Sequence, residues 1–125
     1  MNKDKKIILV EDDDFLRELA SKKIAEAGYD IKTASTGEEG MQKIEEEEFD
    51  LILLDLILPG MGGFEILEKV NNHKDKRISN TPVIILSNLG QEDEVKKAKN
   101  MGANDYLIKA HFTPASIAKK INEYI

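Results

Sequence analysis

Four consecutive aliphatic residues that stop at a carboxylate, Leu51-Ile52-Leu53-Leu54-Asp55, constrain this chain more than any other feature. A run that is apolar at every position predicts a strand buried on both faces, the habit of parallel sheets covered by helices. Pro59-Gly60 follows shortly after, so the chain leaves the sheet near Asp55. The carboxyl ends of strands are where open α/β sheets keep their chemistry. The pattern recurs at Ile7-Ile8-Leu9-Val10 before Glu11-Asp12-Asp13-Asp14, at Val83-Ile84-Ile85-Leu86 before Ser87, and at Tyr106-Leu107-Ile108 before Lys109.

Hydrophobic periodicity predicts strands over 6–10, 30–34, 51–55, 82–87 and 105–109, with helical patterns between them. Phe15, Leu16, Leu19, Ile24 and Ala27 form the expected apolar stripe of the first helix, capped by Asp13 or Asp14 and stopped by Gly28. Thr36 and Glu39 have capping-box spacing ahead of Met41 and Ile44. Phe64, Ile66, Leu67 and Val70 mark a third helix, followed by a polar stretch over 71–81. Val95, Ala98 and Met101 are the apolar side of a fourth, over 91–101. Thr113-Pro114 opens a fifth, with Ile117, Ile121 and Tyr124 facing inward. Strict alternation of strands and helices implies right-handed crossovers and a flavodoxin-like, doubly wound five-stranded parallel sheet in the order 2-1-3-4-5 with five helices. Its switch point lies between the first and third strands, which brings Glu11, Asp12 and Asp55 into one crevice.

The 125 residues fit one domain, residues 1–125. The absence of cysteine, of a long apolar span and of a signal peptide points to a cytoplasmic protein with no membrane contact. A net charge of −6 argues against nucleic-acid binding, which needs clustered Lys and Arg. Glu45-Glu46-Glu47-Glu48 reads as the solvated end of the second helix. His73 and His111 lack a second ligand at metal spacing and read as surface residues, and Met41, Met61 and Met101 as fillers.

Three carboxylates in one crevice repel each other and call for a cation or shared protons. An acidic, all-oxygen site open to water suits Mg²⁺. Helix capping accounts for Asp13 or Asp14, but not for Glu11 and Asp12 at a strand end opposite Asp55. Asp55 is either a turn residue or a nucleophile, since a carboxylate can attack a phosphoryl group to give an acyl phosphate. Such a transfer relies on positioning and charge stabilisation, for which Lys109 supplies a cation and Ser87 a hydroxyl.

Across nearly its whole length the chain resembles the receiver domain of bacterial two-component response regulators, of the chemotaxis-regulator type. The resemblance rests on Ile8 to Asp13, on Asp55-Leu56-Ile57-Leu58-Pro59-Gly60-Met61-Gly62-Gly63, on Pro82 to Ser87, and on Gly102 to Lys109. It implies Asp55 as phospho-acceptor, and Glu11, Asp12, Asp55 and the backbone carbonyl of Ile57 as the Mg²⁺ site. It also implies Ser87 and Tyr106 as a switch pair and Lys109 as the phosphate-contacting lysine. Three residues depart from the family pattern. Ala110 stands where a proline preceded by a cis peptide is usual, so the turn is either strained or rebuilt in trans. Asn88 replaces a small residue, and Gly62 stands where aspartate is frequent. Ile57 and Leu89 occupy the positions that tune attack of water on the acyl phosphate, and both are apolar, which implies a persistent phosphorylated state.

The function implied is a phosphorylation-dependent signalling switch that promotes only its own phosphorylation and dephosphorylation. Its expected partners are a sensor histidine kinase and an unknown downstream protein; Lys96, Lys97, Lys99, Lys119 and Lys120 near Asp105 and Glu123 read first as solvated helix faces, with a phosphorylation-linked homodimer through them as the alternative. On modification Ser87 is expected to move toward the phosphate and vacate space that Tyr106 fills. Two rival readings are a pseudo-receiver that binds partners constitutively and a small Mg²⁺-dependent aspartyl phosphatase or phosphotransferase.

Overall fold

The computed structural model describes residues 5–88 and 91–125. Five parallel strands, β1 (Lys6–Val10), β2 (Asp30–Ala34), β3 (Leu51–Asp55), β4 (Val83–Ser87) and β5 (Asp105–Ile108), lie in the order β2-β1-β3-β4-β5. The flavodoxin-like architecture expected from the alternation is the one observed. Among the described residues there are five helices of eight or more residues, α1 (Asp14–Glu26), α2 (Gly37–Glu46), α3 (Gly63–Asn71), α5 (Glu92–Asn100) and α6 (Pro114–Ile121), and one four-residue helix, α4 (Lys76–Ser79).

Side-chain alternation along the strands divides the core in two. Ile8, Val10, Ile52, Leu54 and Ile85 face α2, α3 and α5, where Met41, Ile44, Leu67, Val70 and Ala98 meet them. Ile7, Leu9, Leu51, Leu53, Ile84 and Leu86 face the other way, onto Ala20 and Ile24 of α1 and Ile117 and Ile121 of α6. Every residue of β3 is buried, as an unbroken apolar run in a sheet covered on both faces requires. Each fully buried Leu or Ile contributes about 1.5–3 kcal/mol, so the central strands are the most costly place to introduce polarity.

The helix starts are set by local chemistry. Asp13 caps α1 by accepting from Leu16 N at 3.1 Å, and Thr36 caps α2 by accepting from Glu39 N at 3.1 Å. The Glu39 carboxylate reaches Ser35 N instead of the cap residue itself, so the expected box is displaced by one residue. At α6, Thr113 and Ser116 form a reciprocal box with Pro114 in the first turn. Gly63 is required by close approach: a Cβ there would lie 2.3 Å from the Asp55 carbonyl oxygen.

Two expectations are corrected. Phe15 is not part of the α1 stripe: it is 75% exposed, while Ala20 and Ile24 are buried. The helix is anchored through Leu16, Ala20 and Ile24, spaced by four, and Phe15 lies one step of about 100° off that line. The polar stretch 71–81 contains α4, capped by Asp75 and anchored by Ile78, which is 2% exposed. One apolar residue among ten polar ones gave no periodicity to read. The four-glutamate run ends α2 at Glu46 with Glu45, Glu46 and Glu48 exposed, as expected, while Glu47 pairs with Lys6 at 3.0 Å and Glu45 with His73 at 3.0 Å. Among the described residues no helix is long and apolar enough to cross a membrane.

Candidate functional site

Parallel pairing places the ends of β1, β3, β4 and β5 side by side. Val10 pairs with Leu54, Asp55 with Leu86, and Ser87 with Ile108, so the residues just beyond them share one rim. An open cleft of about 430 Å³ there is lined by Glu11, Asp12, Asp13, Asp55, Ile57, Ser87, Asn88 and Lys109. A larger groove of about 670 Å³ between α2 and α3 has no comparable convergence of reactive groups, so size alone does not locate the site.

Asp55 is 4% exposed. Its Oδ1 accepts from Ile57 N at 3.2 Å and its Oδ2 from Lys109 Nζ at 3.0 Å. Glu11 is fully buried. Its Oε2 accepts from Asp13 N at 3.1 Å, and its Oε1 faces Lys109 Nζ at 2.7 Å as a charge contact, with no hydrogen bond of good geometry among the described residues. Burial pushes the Glu11 carboxyl up, the Lys109 ammonium pulls it back and neighbouring Asp55 raises it again, leaving it at about 7. Burial alone would lower Lys109, but Glu11 and Asp55 outweigh it and hold the ammonium above its usual value.

One carboxylate oxygen from each of Glu11, Asp12 and Asp55 lies within 4.8 Å of the others. Asp12 is the exposed member and makes no side-chain hydrogen bond among the described residues. The buried Glu11 carboxylate, whose Oε1 meets the Lys109 ammonium, the exposed Asp12 carboxylate and Asp55 at the cleft floor form an all-oxygen donor set. That set fits a hard divalent cation such as Mg²⁺.

Lys109 reaches the site without the proline. The described peptide bonds are all trans, and the chain turns through a short 3₁₀ segment at Lys109–His111. Ser87 is 1% exposed at the cleft wall. Tyr106 lies in the core, 9% exposed. Ile57 is 61% exposed on the cleft rim. Leu89 lies outside the described residues.

Two side chains that the sequence did not single out also hold the rim. Arg17 Nη1 donates to the Glu11 carbonyl at 2.9 Å, and Glu38 Oε2 accepts from Met61 N at 3.0 Å, beside Gly60 at φ +72°. The Asp14/Arg17 spacing was a readable ion pair. The backbone contact was not readable.

The profile of the response regulator receiver domain family matches residues 7–122. Among curated proteins the chain is 38% identical over 104 residues to the transcriptional regulatory protein HprR of Escherichia coli, covering 83% of this chain and 44% of that one. It is 39% identical over 105 residues to the transcriptional regulatory protein CrdR of Helicobacter pylori, covering 84% and 48%. The chain thus spans about half the length of the curated relatives it matches. Among solved structures it superposes on chemotaxis protein CheY4 of Vibrio cholerae with a TM-score of 0.88 at 28% identity, covering 97% of this chain and 98% of that one. It superposes on a receiver domain protein from Methanospirillum hungatei at 0.85 and 31%, covering 95% and 91%. The fold, the acidic cleft and the family match agree: the chain belongs to the response regulator receiver domain family.

Proposed function

We propose that residues 1–125 form one receiver domain that accepts a phosphoryl group on Asp55 from a sensor histidine kinase and acts as a cytoplasmic signalling switch rather than a metabolic enzyme. The observation that carries this reading is the pairing of Asp55 with Lys109 at 3.0 Å beside Glu11 and Asp12. A carboxylate oxygen of Asp55 would attack phosphorus as the bond to the donor nitrogen breaks. Lys109 then faces the new phosphoryl oxygens, and Ser87 supplies a hydroxyl from the wall. Glu11, Asp12, Asp55 and the Ile57 carbonyl are the groups that would hold Mg²⁺, which when bound neutralises phosphoryl charge. The retained Lys109 contact favours this reading over a decayed pseudo-receiver.

A protein donor suits this end of the sheet, where Ile57 on the rim is 61% exposed and Phe15, two residues after the cleft-lining Asp13, is 75% exposed. Lys96 and Lys120 are paired inside the chain with Glu92 at 3.3 Å and with Asp105 at 3.5 Å. Charges already satisfied internally favour a heterologous downstream partner over a homodimer through these residues. The argument from net charge against nucleic acid covers these 125 residues only and does not extend to the longer relatives named as transcriptional regulators. Intact mass after acetyl phosphate treatment tests the proposal: one phosphoryl adduct is expected in the wild type and none in Asp55→Asn. An adduct that survives in the variant would move the acceptor elsewhere. Ile57→Asn, which gives water a hydrogen-bonding group on the rim, is expected to shorten the life of the adduct.

A further inference from the structure

We propose that Arg17 is a positioning residue for the cation site, clamping the acidic loop so that Asp12 is held beside Asp55. The proposal rests on reading Glu11, Asp12 and Asp55 as that site. Glu11 N makes the last bond of the loop to the sheet, donating to Ala34 O at 3.0 Å. Beyond it the Glu11 carbonyl has left the strand ladder, and Arg17 Nη1 reaches back from the first turns of α1 to donate to it at 2.9 Å. The other guanidinium nitrogen contacts Asp14 Oδ1 at 2.5 Å. The planar fork therefore ties residue 11 to residue 14 and brackets Asp12 and Asp13 between its two prongs. Only 22% of the Arg17 side chain is exposed, so the clamp is packed in place.

Asp12 needs such a clamp because its side chain has no hydrogen bond of its own among the described residues, and its position is inherited from the backbone. Asp13 is held to α1 by Leu16 N on its side chain at 3.1 Å and by Arg17 N on its carbonyl at 2.9 Å, but the tie back toward residue 11, Asp13 N to Glu11 Oε2 at 3.1 Å, uses a carboxylate that a cation would also draw on. The Arg17 bond goes to a backbone carbonyl and does not compete with the ion. Groups that orient metal ligands without touching the metal commonly change affinity by about 10–100-fold.

Charge and geometry make opposite demands, which renders the idea testable. Removing a positive charge near an acidic site tightens cation binding, whereas removing a clamp weakens it. Mg²⁺ titration followed by amide NMR signals of residues 12, 13 and 55 is to be compared in wild type, Arg17→Met and Arg17→Lys, with melting temperatures measured without Mg²⁺. Arg17→Met is expected to bind Mg²⁺ about tenfold more weakly. Arg17→Lys, which keeps the charge and the fold but cannot fork, is expected to weaken binding several-fold at a nearly unchanged melting temperature. Unchanged or tighter binding in Arg17→Lys beside a saturating wild type overturns the positioning role and leaves the cation site standing. No saturable Mg²⁺ response in the wild type removes the cation site and this proposal together.

Discussion

Lys109 Nζ stands between two buried carboxylates, 2.7 Å from Glu11 Oε1 and 3.0 Å from Asp55 Oδ2. The ammonium thus meets charge that a divalent cation would otherwise neutralise, so a metal bound here would compete with the lysine for part of the same acidic field. Lys109→Met is expected to tighten Mg²⁺ binding while destabilising the metal-free protein by roughly 3–5 kcal/mol, because it leaves two buried carboxylates without their counter-charge. Calorimetric titration and urea unfolding without Mg²⁺ measure the two effects. Weaker Mg²⁺ binding in the variant would show that the two cations do not compete.

Binding to the native state alone raises stability by mass action, about 1.4 kcal/mol at tenfold excess over the dissociation constant. Mg²⁺ is therefore expected to raise the melting temperature of the wild type and to have no effect on Asp12→Ala. An equal rise in both proteins would place the ion elsewhere.

The second charged network gives a pH signature far from the cleft. Burial pulls the Asp105 carboxyl up, but Tyr124 Oη at 2.6 Å, the Tyr106 backbone N–H and nearby Lys120 outweigh it and hold it below the usual carboxylate range. The hydrogen bond to Asp105, reinforced by burial, pushes Tyr124 from 10.0 to about 12. A depressed carboxylate contributes stability above its unfolded value of 3.8, lost as pH falls below it. A raised phenol contributes stability below 10, lost as pH climbs through about 12. Tyr124→Phe is expected to cost about 1 kcal/mol near neutrality and to begin acid unfolding at higher pH. Urea midpoints across pH 3 to 11 read this, and parallel curves for the two proteins would mean that the bond carries no linkage.

Gly62 caps α3 with φ −76° and no side-chain bond, and a Cβ there would have its nearest neighbour 3.8 Å away at the Leu56 carbonyl. Neither backbone strain nor crowding requires glycine at this position. Gly62→Asp is expected to stabilise the fold by a few tenths of a kcal/mol through a cap on α3. A lower urea midpoint would show that the added charge near Asp55 outweighs the cap.

The sequence by itself determined the layers, the strand order and the meeting of Glu11, Asp12 and Asp55. Runs buried on both faces admit few other architectures, and the charged residue ending each run marks the rim where neighbouring strands stop. Tertiary structure decided what those side chains touch. Phe15 carries the same hydrophobicity as a core residue, and only packing of α1 through Ala20 and Ile24 leaves it outside. Ile78 anchors a helix in a stretch with no period because a space beside α3 accepts it. Lys109 reaches Asp55 through a trans 3₁₀ turn, and Arg17 finds a carbonyl six residues back, because both contacts depend on where the backbone lies in space. Periodicity is a local property of the chain, whereas these contacts depend on how distant or folded-back segments meet.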